Sequence, residues 1–203
     1  HKISSTDKII IVLLGSRTGE VSALGEVFEE TLCILKVRFP NIQIILPTIP
    51  ILAKKVRNLI KKWKHSAIVI EGEAEKFDAF AAADVAIAAS GTVALELAMS
   101  GTPAVIAYKT NPFTWLLASW LVKVRFANLI NLILNREIIP EFLQKDCCAD
   151  ALATKIEELL KSKVQRKEQI QAYEEALKKL KPEGGSPAEI AAITVLNHLK
   201  NNI

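Results

Sequence analysis

The chain is short of sulfur, of histidine and of any block of like charge. It has three cysteines in 203 residues, two of them adjacent at Cys147 and Cys148. That pattern makes neither a disulfide framework nor a zinc site, and it points to a reducing, cytosolic setting. Its one methionine is Met99. No initiator residue is present, so the chain is expected to start inside a longer protein. Net charge is +4. The basic residues are scattered or sit beside acids, so nucleic-acid binding is not indicated. No run is long enough to span a bilayer, and none reads as a secretory signal. A Gly-x-Ser-x-Gly elbow and a Gly-Lys-Ser/Thr phosphate loop are both missing. His1, His65 and His198 lie far apart and read as surface residues rather than catalytic bases. Half of the residues are hydrophobic, which implies a globular protein with room for one large domain and a real core.

What the chain does have is an alternation of apolar runs and helical patterns. Lys8 to Leu14 is a β-branched run that stops at Gly15-Ser16-Arg17, as expected for a central parallel strand. Val27, Phe28, Leu32, Leu35 and Val37 carry helical spacing, closed by Pro40. Further strands are expected at Ile42 to Leu46, Ala67 to Ile70, Asp84 to Ala88 and Ala104 to Ala107. Helices are expected at Ala53 to Trp63 and Glu75 to Ala83. This order predicts an α/β fold, a Rossmann-like parallel sheet with helices on both faces. Cys33 reads as a small buried residue within it. From Phe113 to Phe126 the chain is apolar and aromatic, either a core helix or a helix facing a membrane or acyl chains. Pro140 is read as opening a short helix, and Asp150 as capping the next one, Leu152 to Leu160. Gln165 to Leu180 and Ala188 to Leu199 are read as further helices. The organisation is therefore one domain over 1–203, with 146–203 as a helical tail that packs on the sheet or reaches a partner.

Ligands of such sheets bind beyond the carboxyl ends of the strands. Ser90-Gly91-Thr92 falls on that edge, between a strand and a helix. Gly91 allows close approach to the main chain, and Ser90 or Thr92 can cap the helix. The free amides and the helix dipole then suit an anion, unless the stretch is only a well-capped turn. Glu96, one helical turn on, suits sugar hydroxyls rather than a phosphate. Arg17 sits on the same edge, either as a paired-bond grip on a phosphate or as a surface ion pair. Asn131 adds an amide, and Glu141 either polarises a ligand hydroxyl or is a helix-start charge. Together they describe an electropositive rim suited to a nucleotide diphosphate, and not a metal or hydrolase site.

The ordered set of motifs resembles a known family. It comprises Leu14-Gly15-Ser16-Arg17 with Glu20, then Ala89-Ser90-Gly91-Thr92-Val93-Ala94-Leu95-Glu96, then Tyr108-Lys109 with Pro112-Phe113-Thr114. Leu121-Val122-Lys123, Asn131-Leu132, Arg136-Glu137 and Glu141-Phe142-Leu143-Gln144 complete it. The set is similar to the C-terminal half of the lipid-A-disaccharide synthases, from residue 8 to 148 and more loosely through the tail. The resemblance implies the donor-binding lobe of a GT-B glycosyltransferase, with the N-terminal acceptor lobe and its general base absent from this chain. The implied reaction joins UDP-2,3-diacylglucosamine to 2,3-diacylglucosamine 1-phosphate without cofactor or metal. The implied location is cytoplasmic, peripheral to the inner membrane of a Gram-negative bacterium. Implied partners are that donor, the lipid acceptor, the inner-membrane surface, the N-terminal lobe and a second copy through the helical tail.

Residue by residue, the resemblance places Ser16, the catalytic Arg17, Ser90, Gly91 and Thr92 at the UDP phosphates and Glu96 at the ribose. It places Asn131, Glu141 and Gln144 along the donor site. Leu14 stands where the family usually has proline. Two rival readings are another UDP-sugar GT-B enzyme, of N-acetylglucosaminyltransferase or epimerase type, and a non-catalytic nucleotide-binding scaffold module.

Overall fold

Five consecutive apolar residues form the centre of the sheet, β1 (Ile9–Leu13), and all five are buried. A strand without a polar face needs cover on both sides. The computed structural model, which describes residues 4, 7–89, 91–110, 125–181 and 185–200, shows where that cover comes from. Beside β1 lie β2 (Gln43–Pro47) and then β3 (Ile68–Ile70). On its other side come β4 (Val85–Ala89), β5 (Ala104–Tyr108) and β6 (Glu141–Leu143). The order is β3-β2-β1-β4-β5-β6, and every pairing is parallel. Strand order therefore reverses at β1, with β2 on one side and β4 on the other. That is the switch point at which doubly wound sheets open a crevice.

The strand side chains divide by parity between two cores. Ile10, Val12, Val85, Ile87 and Val105 pack under α1 (Thr18–Arg38), α2 (Pro50–Ile60) and α6 (Ala149–Lys161). Ile9, Ile11, Leu13, Ala86 and Ile106 face the other way. They meet α3 (Glu73–Ala82), α4 (Val93–Met99), α5 (Leu129–Leu134) and α7 (Lys163–Leu180). Of the region read as a helical tail, α6 and α7 are thus layers of the core, one on each face. The last helix, α8 (Pro187–Lys200), exposes Ile193, Val195, Leu196 and Leu199. Among the described residues no helix is long and apolar enough to cross a membrane.

Several expectations need correction. The segment after Pro140 is a strand, not a helix. Glu141, Phe142 and Leu143 pair in register with Ile106, Ala107 and Tyr108, and the Pro140 carbonyl accepts the Ile106 N–H at 2.9 Å. Proline suits that place, because it has no N–H to lose before the ladder begins. Asp150 is not the cap of α6. Cys148 takes that position without a side-chain hydrogen bond, and Asp150 lies in the first turn, where its charge still favours the dipole. Val37 is outside the apolar stripe of α1, at 83 % exposure. Cys33 is only half-buried. Of the aromatic stretch, 113–124 lie outside the described residues, as does Ser90.

Candidate functional site

The loops after β1, β2, β3 and β4 enclose a cleft of about 430 Å³ at the carboxyl edge of the sheet. Ser16, Arg17, Gly91, Thr92 and Glu96 all line it, so the structure brings these five together. A larger depression, about 560 Å³, opens between the α5–β6 connection, α6 and α7 and is lined by Arg136, Lys155, Glu168 and Glu175. It lies at the opposite edge: there Gln169 pairs with both main-chain groups of Ala104, where β5 begins. None of the ligand-edge motifs reaches it, so the smaller cleft is the candidate.

Its first wall is the turn from β1 into α1. Gly15 takes φ +95, and a Cβ there would stand 2.1 Å from Glu20 Oε2. The missing side chain lets the Glu20 carboxylate fold back into the turn. Oε2 accepts from the Ser16 N–H at 2.9 Å and the Arg17 N–H at 3.2 Å. Oε1 accepts from Arg17 Nη1 at 3.2 Å. This closes the helix start as a capping box does. It also means that an internal carboxylate already occupies the two amides. The Arg17 side chain remains 82 % exposed, against 13 % for Glu20, so the guanidinium stays open to a ligand although one of its nitrogens meets Glu20.

The second wall is the turn from β4 into α4. Gly91 has φ +152, with open space where a Cβ would be. Thr92 occupies the N-cap position but makes no side-chain cap bond. Its backbone is already helical, φ −64 and ψ −19, whereas a capping side chain needs the extended conformation to reach back. The expected Thr92 cap is therefore not formed.

Glu96 turns toward α3, where Lys76 Nζ lies 3.0 Å from its Oε2. Burial lowers the Lys76 pKa, but hydrogen bonds and charge from Glu96 and Glu73 outweigh it and hold it above the ordinary lysine value. The remaining wall carries Thr48, whose hydroxyl is buried with no partner among the described residues. Glu71 pairs with Arg57 at 2.5 Å. Thr48, Glu71 and Lys76 were not singled out in the sequence. Their one signal was position, since each follows or faces a strand end on the ligand edge.

The expected electropositive rim is corrected by this list. Among the described lining residues the cations are Arg17 and Lys76, and the anions are Glu20, Glu71, Glu73 and Glu96. The acids cap turns and bind lysine or arginine, and such carboxylates suit hydroxyl groups better than phosphates. Among the described lining residues Lys76 is paired with Glu73 and Glu96, which leaves the exposed Arg17 guanidinium and the amide turn at α4 as the positive features.

Three other predicted residues are not in the cleft. Asn131 is fully buried. Its Nδ2 donates to the Ile139 carbonyl at 2.8 Å and to Glu141 Oε1 at 2.9 Å. Its Oδ1 accepts from the N–H groups of Ile138 and Ile139 at 2.8 and 2.9 Å. All four valences of the amide are used within the chain. Glu141 accepts from the N–H groups of Ala127 and Asn128 and from both side-chain amides, Asn128 and Asn131. Both residues hold the start of α5 against β6. Gln144 stands at the carboxyl end of β6 in a left-handed conformation, φ 50. Its Oε1 accepts from the Thr110 N–H, and its Nε2 is buried with no partner among the described residues.

The family model described as lipid-A-disaccharide synthetase matches residues 1–195. The chain belongs to the lipid-A-disaccharide synthetase family. It is 41% identical over 203 residues to the lipid-A-disaccharide synthase of Rhodospirillum centenum, covering 100% of this chain and 51% of that protein. It is 40% identical over 202 residues to that of Paramagnetospirillum magneticum, covering 98% and 52%. The chain thus spans about half the length of the curated relatives it matches. Among solved structures, the catalytic domain of cholesterol-alpha-glucosyltransferase from Helicobacter pylori superposes with a TM-score of 0.53 at 20% identity, covering 84% of this chain and 98% of that one. Fold and family agree on a Rossmann-like α/β lobe.

Proposed function

We propose that this chain is the donor-binding half of a lipid-A-disaccharide synthase. The complete enzyme transfers 2,3-diacylglucosamine from its UDP carrier to 2,3-diacylglucosamine 1-phosphate, giving the β-1,6-linked disaccharide and UDP. In that reaction the 6-hydroxyl of the acceptor attacks the anomeric carbon, and the bond to the β-phosphate oxygen breaks. The hydroxyl proton passes to a general base supplied by the half of the enzyme that this chain does not span. Because donor and acceptor both carry acyl chains, the complete enzyme works at the inner face of the membrane.

The observation that carries the reading is the convergence of Arg17, the Gly91–Thr92 turn and Glu96 on one cleft at the switch point. Negative charge grows on UDP as it leaves. The Arg17 guanidinium and the amides at the start of α4 stabilise that charge, and Glu96 accepts hydrogen bonds from the ribose. Preorganised donors of this kind contribute most when they meet the charge only as it develops. Ser16 and Gln144 adjoin the same edge. Asn131 and Glu141 act behind it, by fixing α5.

Calorimetric titration of the chain with UDP is the test. Saturable binding is expected, weakened about tenfold to hundredfold by Arg17→Ala, the effect of losing one charge-assisted contact. In the complete enzyme Arg17→Ala should lower turnover at least about a hundredfold. No UDP binding by the unaltered chain would remove the reading.

A further inference from the structure

Lys76 is held more firmly than a surface lysine of α3 needs to be. Its Nζ lies 3.0 Å from Glu96 Oε2 and 3.3 Å from Glu73 Oε1, and 4.7 Å from the centre of the Phe77 ring. Phe77 in turn meets the fully buried Phe80 ring edge-on at 5.8 Å. The ammonium is thus fixed by two carboxylates and one aromatic face, a combination that costs a long side chain its rotamers only once. The side chain is 21 % exposed and lines the cleft, as Glu96 does at 34 %. On Glu96, Oε2 is the oxygen that meets Lys76, and the carboxylate lines the cleft.

We propose that Lys76 is a positioning residue: it clamps one oxygen of Glu96 so that the other is presented to a ribose hydroxyl, and it thereby sets the preference for ribonucleotide over deoxyribonucleotide donors. The inference rests on the reading of Glu96 as the ribose acceptor. A glutamate has three side-chain torsions. Left alone at half exposure it samples many rotamers, and a hydroxyl must pay to order it. With Lys76 in place, the carboxylate is ordered before the ligand arrives, and preorganisation appears as affinity for the group it faces. The lysine also offsets the Glu96 charge, so that a carboxylate can stand beside a diphosphate without repelling it.

The experiment measures dissociation constants for UDP, 2′-deoxy-UDP and 3′-deoxy-UDP on this 203-residue chain. The unaltered protein should prefer UDP to the more sensitive deoxy analogue by about tenfold, the scale of one hydrogen bond to a charged group. Lys76→Met keeps an unbranched aliphatic side chain beside Phe77 and loses the charge. It should bring that preference below about threefold, and Lys76→Arg should restore it. In a Glu96→Gln background, Lys76→Met should change the preference no further. A Lys76→Met protein with the unaltered preference overturns the inference, as does an additive effect in the double variant. If Lys76→Met does not fold, Lys76→Gln and the arginine variant decide the same ratio. A parent protein that binds UDP without discriminating either deoxy analogue instead refutes the ribose reading of Glu96, a distinct outcome.

Discussion

Asn131→Ala removes four hydrogen bonds at a position fully shielded from solvent. The alanine leaves the Ile138 and Ile139 N–H groups and the Ile139 carbonyl without their partner. It also opens a small void where the amide was. Glu141 keeps its three other donors, Ala127 N–H, Asn128 N–H and Asn128 Nδ2, so its carboxylate is not stranded. A buried group left unsatisfied costs roughly 1–3 kcal/mol, and relaxation of the 135–139 turn recovers part of it. The expected loss is about 3–5 kcal/mol, a large fraction of the roughly 5–15 kcal/mol that holds a domain folded. With a urea slope of about 2 kcal/mol per molar, the midpoint should fall by about 1.5–2.5 M at unchanged slope. In the protein that remains folded, UDP affinity should stay within about threefold of the parent, since no Asn131 valence is left over for a ligand. A midpoint shift under about 0.5 M, or a loss of UDP affinity without loss of stability, would refute the structural account of this residue.

Two smaller perturbations test the rest of the framework. Gly15→Ala puts a Cβ 2.1 Å from Glu20 Oε2 at a φ of +95, so both the backbone and the carboxylate must shift. The cost should be about 2 kcal/mol, read in a thermal melt as a Tm lower by roughly 4–8 °C, and Gly15→Ala with an unchanged Tm would mean that Glu20 is free to leave the turn. Thiol titration at pH 8 should modify Cys148 first, because it is exposed. Burial raises the Cys147 pKa against the opposing pull of Lys109, and burial with Glu29 raises that of Cys33. Both hold less thiolate at that pH, so Cys147 should react only on unfolding and Cys33 more slowly than Cys148.

The parallel sheet was legible because its strands are short, apolar and stopped by turn residues, and because strand and helix alternate. The edge that carries the cleft followed from the same alternation, since a doubly wound sheet has one ligand edge. β6 was not legible. Three residues after a proline carry no period, and only the open edge of β5 decides that they become a strand. The roles of Asn131 and Glu141 were misplaced for a related reason. An amide and a carboxylate ten residues apart look like ligand groups until the chain folds one onto the other at 2.9 Å.

Taken alone, the sequence determined the alternation of strand and helix, the central place of β1 and the loops that meet at the ligand edge. Each of these follows from local pattern and from the one hand that crossover connections take. The tertiary structure decided which charges remain available at that crevice. Glu20 closes on the turn that was expected to hold a phosphate, and Lys76 reaches from a neighbouring helix to Glu96. Such pairings depend on distances between side chains far apart in sequence or folded back on their own turn. No spacing along the chain encodes those distances, so the electrostatics of the cleft could be read only from the packed molecule.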